Sequence, residues 1–90
     1  MVCTYIDVVG LHEVNDHLGH RSGDNLLCTI ANAARKFFVS SRIYRVGGDE
    51  FVVLTPNLPP YDVWTASDRM RVFLREKDCE ISVGIQSTND

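Results

Sequence analysis

The chain has 90 residues, of which 44% are hydrophobic and 23% charged, and its formal net charge is −3. This length predicts one small domain with a single core, and the negative charge argues against a general nucleic-acid binder. No apolar run approaches the roughly 20 residues that a membrane-spanning helix needs, and the first residues are strand-like and lack a signal-peptide pattern.

Three cysteines, Cys3, Cys28 and Cys79, lie far apart in the chain and have no metal-like spacing. Their odd number argues against a disulfide framework. Because each lies in an apolar pattern, we expect three buried thiols in a reducing cytoplasm.

The first half of the chain predicts one strand and two helices. Residues 2–8 are rich in β-branched and aromatic side chains, which predicts a central strand. Residues 10–18 predict a short helix that stops at Gly19. A longer helix follows, with Ser22, Gly23 and Asp24 as its N-cap region. Its apolar face, at helical spacing, is predicted to contain Leu26, Leu27, Ile30, Ala31, Ala34, Phe37 and Phe38.

The second half predicts a hairpin, a helix and a last strand. Residues 42–46 and 51–54 read as the two hairpin strands, and residues 57–60 break the chain before a helix. Trp64 and Phe73 are expected in the core beneath that helix. Strict alternation over residues 79–85 predicts a half-buried strand, and residues 86–90 are expected to be frayed.

This order of elements is strand, helix, strand, strand, helix, strand. It is typical of the ferredoxin-like split βαβ fold, an α+β arrangement in which one antiparallel sheet has both helices on one face. No linker or repeat divides the sequence, so we expect residues 1–90 to form a single domain. The first and third strands are usually neighbours at the centre of such a sheet.

Residues 45–51 read Arg-Val-Gly-Gly-Asp-Glu-Phe, which places two adjacent carboxylates at the tip of the hairpin. Glycine permits a tight turn with positive φ and a close approach to a ligand. Neighbouring acids repel each other unless a cation stabilises them, so the turn indicates Mg²⁺ and phosphate chemistry. Asp7 ends the first strand and would join Asp49 and Glu50 only in a register that the sequence does not fix. A plain β-turn with solvated acids is the alternative.

The same turn resembles the name-giving signature of GGDEF domains, the diguanylate cyclases that make cyclic di-GMP from two GTP molecules. A second stretch is similar to the family pattern D-x(7)-N-D-x-x-G-H-x-x-G-D and consists of Asp7, Asn15-Asp16, Gly19-His20 and Gly23-Asp24. The resemblance covers residues 2–85. It implies a nucleotidyl cyclase or palm-like version of the α+β fold.

The resemblance implies a metal site at the end of the first strand. Asp7 and the carbonyl group of Val8 would bind the metal, Mg²⁺ or Mn²⁺. Asp49 would bind metal and help to deprotonate the attacking 3′-hydroxyl group. Glu50 would support the metal site as the second acid of the signature.

The resemblance also implies residues that contact GTP. Asn15 and Asp24 match the pair that reads guanine, and an amide with a carboxylate suits the O6 acceptor and the N1 and N2 donors of that base. His20 would lie near the substrate. Gly47 and Gly48 match the turn whose backbone lies against the phosphates.

Simpler interpretations remain open for several of these residues. Asp7 alone is an exposed strand-end acid, Asp24 is a helix N-cap, and Asn15 is a polar helix residue. His20 is a loop histidine that only packs or hydrogen-bonds, and His12 is a surface residue.

Three departures from the family pattern stand out. His12 occupies the position of a usual lysine near the phosphates, and a mostly neutral histidine stabilises phosphate charge less. Residues 38–41 read Phe-Val-Ser-Ser, so the Arg-x-x-Asp site for inhibition by product is expected to be absent. The upstream helix and the cationic C-terminal helix of the family have no counterpart, so we expect a domain truncated at both ends and part of a larger protein.

The resemblance therefore implies a Mg²⁺-dependent diguanylate cyclase that works as a cytoplasmic homodimer, fused to sensory or regulatory domains in a free or membrane-anchored parent protein. The alternative is a degenerate GGDEF domain that binds GTP and regulates a fused domain without turnover. An interaction domain that uses only the fold ranks third.

Overall fold

The order of elements agrees with the sequence prediction. The computed structural model describes residues 1–88. Its elements are β1 (Val2–Val8), α1 (Leu11–Leu18), α2 (His20–Phe37), β2 (Arg42–Arg45), β3 (Glu50–Thr55), α3 (Pro60–Arg75) and β4 (Ile81–Ser87). The α+β prediction is confirmed, including the short helix that precedes the long one. Within residues 1–88, none of the helices combines the length and the hydropathy that crossing a bilayer requires.

The four strands form one sheet in the order β2-β3-β1-β4, and every neighbouring pair is antiparallel. β1 is therefore central, as its apolar composition predicts. Side chains alternate between the two faces of a strand, and in β1 the buried set is Val2, Thr4, Ile6 and Val8. Asp7 falls on the opposite, exposed face.

The core lies between the sheet and the helices α2 and α3. Ile6 and Val53 from the sheet and Ile30, Met70 and Leu74 from the helices are each at most 1% exposed. Burying an aliphatic side chain of this size contributes about 1.5–3 kcal/mol, so this layer holds the strand ends in place.

The predicted N-cap of the long helix is wrong. α2 begins at His20, and its N-cap is Gly19, with a φ of 88°. A positive φ is accessible to glycine, so one residue both ends α1 and starts α2. The hydroxyl group of Ser22 instead donates to the Leu18 carbonyl oxygen at 3.1 Å, and Asp24 lies within the helix.

The expected burial is also wrong for three residues, Trp64, Cys28 and Cys3. Trp64 is 58% exposed on α3, because it falls outside the stripe that faces the sheet. Cys28 is exposed on α2, Cys3 is half-buried and only Cys79 is buried. Burial, helped by the neighbouring charge of Asp78, raises the pKa of the Cys79 thiol.

The end of the chain is more ordered than the polar sequence predicts. β4 continues to Ser87, and the amide of Thr88 donates to the Met1 carbonyl oxygen at 2.9 Å. Pairing with β1 supplies partners that the sequence pattern alone does not reveal, so the prediction of fraying is wrong for residues 86–88. Residues 89 and 90 lie outside the described range.

Candidate metal and nucleotide site

The register of β1 against β3 brings the three predicted acids together. Asp7 pairs with Glu50, and the amide of Val8 donates to the Asp49 carbonyl oxygen at 2.9 Å. One carboxylate oxygen from each of Asp7, Asp49 and Glu50 lies within 4.8 Å of the others. The sequence left this register open, so the convergence is a finding of the structure.

The strand pairing also explains why the acids are so close. Hydrogen-bonded and non-hydrogen-bonded positions alternate along an antiparallel pair, and side chains approach most closely at the latter. Since Val8 and Asp49 are hydrogen-bonded, Asp7 and Glu50 occupy a non-hydrogen-bonded position. All three carboxylates are exposed, so a ligand can reach them directly.

Arg45 braces the hairpin tip from within the turn. Its Nε atom donates to the Gly47 carbonyl oxygen at 3.2 Å, and its Nη2 atom donates to that of Gly48 at 2.8 Å. The amide of Val46 donates to the Glu50 carbonyl oxygen at 3.0 Å and closes the turn. Sequence reasoning assigned no role to Arg45. The sequence feature that could have indicated this role is the position of Arg45 two and three residues before Gly47 and Gly48, within reach of their carbonyl groups.

The two glycines of the turn do not adopt the positive φ that their type predicts. A Cβ atom on Gly48 would meet nothing within 4 Å, and one on Gly47 would come no closer than 3.6 Å to Glu50. Neither the turn conformation nor the packing within residues 1–88 therefore requires glycine. Because Gly47 and Gly48 have no side chains, the space beside the acids is open.

A second group of predicted residues lies where α1 packs against α2. Asn15 is half-buried on α1, and its amide lies directly against Gly23 of α2. Asp24 follows Gly23 in the chain and is exposed. The packing of α1 against α2 thus places the Asn15 amide near the segment that carries the Asp24 carboxylate.

The two predicted histidines are exposed. His12 lies on α1, and its Nε2 atom is 3.1 Å from an Asp16 carboxylate oxygen one helical turn away. The side chain of His12 is 87% exposed. His20 is the first residue of α2, next to the glycine that joins the two helices. Neither position restricts access of a ligand.

The donor set at the strand end suits a hard divalent cation. Mg²⁺ binds oxygen ligands at about 2.0–2.1 Å, so two oxygens on one ion are separated by at most about 4.2 Å. The three carboxylates have oxygens within 4.8 Å of one another, close to the spacing that ligands of one ion require. Asp7, Asp49 and Glu50 therefore fit a divalent cation.

This α+β fold, with acids at the end of its central strand, agrees with the resemblance that the sequence motifs indicate. Residues 1–89 match the family described as "Diguanylate cyclase, GGDEF domain". The chain belongs to the GGDEF family.

Two curated relatives are diguanylate cyclases by name. The chain is 37% identical over 67 residues to the bifunctional diguanylate cyclase/cyclic di-GMP phosphodiesterase MucR of Pseudomonas aeruginosa, a match that covers 73% of this chain. It is 35% identical to the diguanylate cyclase DgcM of Escherichia coli over an alignment of 71 residues, which covers 74% of this chain. The matches span only 10% and 17% of those two proteins.

A solved structure supports the fold although its sequence identity to this chain is low. The active GGEEF domain of a diguanylate cyclase from Vibrio cholerae superimposes with a TM-score of 0.90 at 24% identity. The superposition covers 99% of this chain and 62% of that domain's chain. The backbone described above is therefore the arrangement found in that domain.

Proposed function

We propose that this domain is the GTP-binding and catalytic core of a diguanylate cyclase, which condenses two GTP molecules into cyclic di-GMP for bacterial signalling. The observation that carries the proposal is the convergence of Asp7, Asp49 and Glu50 within 4.8 Å at the end of the central strand. We infer the reaction from membership of the GGDEF family. The three acids are groups that suit the chemistry of this reaction.

The acids and one backbone group would hold the cation. Asp7, Asp49 and the carbonyl group of Val8 are the proposed ligands of Mg²⁺ or Mn²⁺, with Glu50 in support. A bound divalent cation offsets the charge of a triphosphate and increases the acidity of a hydroxyl group beside it. The Val8 amide donates a hydrogen bond to the Asp49 carbonyl oxygen. This bond holds the proposed ligands from β1 and from the hairpin close to each other.

Asp49 is also the proposed acceptor of the proton from the attacking 3′-hydroxyl group. Its carboxylate is exposed at the tip of the hairpin, where a nucleotide can approach. The open space beside Gly47 and Gly48 lets phosphates lie against the backbone, and the two bonds from Arg45 hold that backbone in shape.

The guanine base would be read by Asn15 and Asp24. An amide can donate to guanine O6, and a carboxylate can accept from N1–H and N2–H. Adenine presents the opposite donor and acceptor pattern at these positions, so this pair would favour GTP over ATP. His20 and His12 are the proposed neighbours of the substrate at the start of α2 and on α1.

Catalysis would require two copies of the domain. Each copy holds one GTP, so the two sites have to face each other across a two-fold axis. The proposed enzyme is therefore a homodimer. We propose that its catalytic domain lies in the cytoplasm and is joined to regulatory domains in the parent protein.

The direct test is to incubate the full-length protein with GTP and Mg²⁺ and to measure cyclic di-GMP by mass spectrometry. Asp49→Asn keeps the shape of the side chain and removes the proton acceptor. We expect it to lower turnover at least about 100-fold, the usual contribution of a general base. Asp68→Asn, which changes an exposed acid on α3, should leave turnover unchanged. Equal turnover of Asp49→Asn and the wild type would rule out the site.

A second candidate is a GTP-binding domain that regulates without turnover. His12 favours it, because the family's usual lysine near the phosphates is missing and the histidine is held by Asp16 at 3.1 Å. Selective GTP binding without any cyclic di-GMP in the same assay would support this alternative.

A further inference from the structure

Gly23 is an unexpected residue for its position in α2. It is buried near the start of that helix, and its φ is not positive. Glycine is less favourable than alanine in a helix interior because it loses more backbone entropy on folding. The conformation therefore gives no reason for glycine here, and the reason has to lie in the packing.

The packing reason is Asn15 of α1. A Cβ atom on Gly23 would overlap the Oδ1 atom of Asn15 and would lie 2.9 Å from its Cγ atom. It would also lie 3.3 Å from the Cδ1 atom of Leu11. Since Leu11 and Asn15 are four residues apart, they share one face of α1. The Asn15 amide thus occupies the volume that a side chain at position 23 would fill.

The position of Asn15 depends mainly on the packing of α1 against α2. α1 contains no buried residue, and its principal packing partner is α2. A side chain added at position 23 would therefore act directly on the contact between α1 and α2. Because Asp24 follows Gly23 directly, any displacement of Asn15 also changes its spacing from the Asp24 carboxylate.

We propose that Gly23 is a positioning residue for Asn15, which it holds at the spacing from Asp24 that reads a guanine base. The inference rests on the guanine-reading role proposed above for Asn15 and Asp24. Gly23 itself does not contact the base. A side chain at position 23 pushes the Asn15 amide away from α2 and separates it from the carboxylate.

The test is a double-mutant cycle in the full-length protein, with GTP and ATP dissociation constants measured by calorimetry. Gly23→Ala should weaken GTP binding about tenfold, as expected for the loss of a hydrogen bond to the base, and leave ATP binding unchanged. In the Asn15→Ala background, Gly23→Ala should add less than about twofold, because the two changes remove the same interaction. Gly84→Ala, where a Cβ atom meets nothing within 4 Å, is the matched control.

Thermal unfolding of each variant keeps the test decisive if Gly23→Ala alone does not fold. Removing the Asn15 amide relieves the overlap, so the double variant should unfold at the temperature of Asn15→Ala or above it, since alanine favours the helix more than glycine does. Additive losses in the cycle would overturn the inference. So would a Gly23→Ala variant that keeps full GTP selectivity while Asn15→Ala loses it, and that result would leave the proposed function intact. A wild type that binds ATP as well as GTP would instead overturn the proposed function.

Discussion

Asp7 and Glu50 are direct cross-strand neighbours at a non-hydrogen-bonded position of the β1–β3 pair. Like charges opposite each other in a sheet are destabilising, typically by about 0.2–1 kcal/mol. We expect Asp7→Asn to raise the free energy of unfolding by about this amount in EDTA, because it removes one charge and keeps the shape of the side chain. Urea titrations followed by circular dichroism would measure the change.

The same substitution should cost the protein its response to Mg²⁺. An ion that binds only the folded state stabilises it by about 2.7 kcal/mol at 100 times its dissociation constant. The wild type should gain stability on addition of Mg²⁺, and Asp7→Asn should gain much less. Asp68→Asn should respond like the wild type. A full Mg²⁺ response in Asp7→Asn would show that this carboxylate is not a ligand.

Arg45 offers a test of the hairpin tip. Its two hydrogen bonds to the Gly47 and Gly48 carbonyl oxygens keep the turn in one conformation. We expect Arg45→Ala to lower the free energy of unfolding by about 1–3 kcal/mol, because each of the two hydrogen bonds contributes about 0.5–1.5 kcal/mol net. GTP turnover should fall about tenfold or more, because the acids and the phosphate-facing backbone are then less well positioned.

Arg42→Ala is the matched control for that experiment. Arg42 lies at the other end of β2 and is also exposed, so its removal changes the net charge equally without touching the turn. Steady-state kinetics with GTP would compare the two variants. If the two variants lowered turnover by the same factor, the change in net charge would explain the effect, and the loss of the Arg45 hydrogen bonds would not.

His12 allows a gain-of-function test. Lysine at this position carries a full charge and can still pair with Asp16, which is one turn away on α1. If the position faces the phosphates, His12→Lys should lower the KM for GTP several-fold, since charge-assisted hydrogen bonds are about twice as strong as neutral ones. His17→Lys adds the same charge near the exposed C-terminal end of α1 and should have little effect. Equal effects of the two substitutions would indicate general electrostatic attraction only.

Local patterns predicted most of the fold. The apolar spacing of residues 26–38 and the alternation of residues 79–85 gave the long helix and the last strand. The start of α2 was missed because Gly19 serves both helices, a geometry that a search for a Ser or Asp cap does not find. Trp64 was misplaced because an aromatic residue near an apolar stripe need not belong to it.

The site was predictable in its chemistry and not in its geometry. Asp7 and Glu50 are 43 positions apart, and only the pairing of β1 with β3 decides whether their side chains meet. A shift of one residue would place them on opposite faces of the sheet. Arg45 was missed for a related reason, since its role depends on where two carbonyl groups point.

β4 gives a test of the register on the other side of β1. The Val9 amide bonds to the Glu80 carbonyl oxygen at 3.0 Å and the Thr88 amide to that of Met1 at 2.9 Å. Since hydrogen-bonded positions alternate, the amides of Ser82 and Gly84 point toward β1. Sheet order places β4 at an edge among residues 1–88, so the amides of the odd-numbered residues point away from the ladder.

Hydrogen exchange followed by NMR in the 90-residue chain should therefore alternate along β4. We expect Val83 and Ile85 to exchange about 100-fold faster than Ser82 and Gly84, because unpaired edge amides need little opening free energy. Ser82 and Gly84 serve as internal controls within the same strand. Equal protection of all four amides would mean that another segment or a second copy pairs with this edge. An inverted pattern would mean that β4 is shifted by one residue against β1, which would move Asp7 away from its pairing with Ser82.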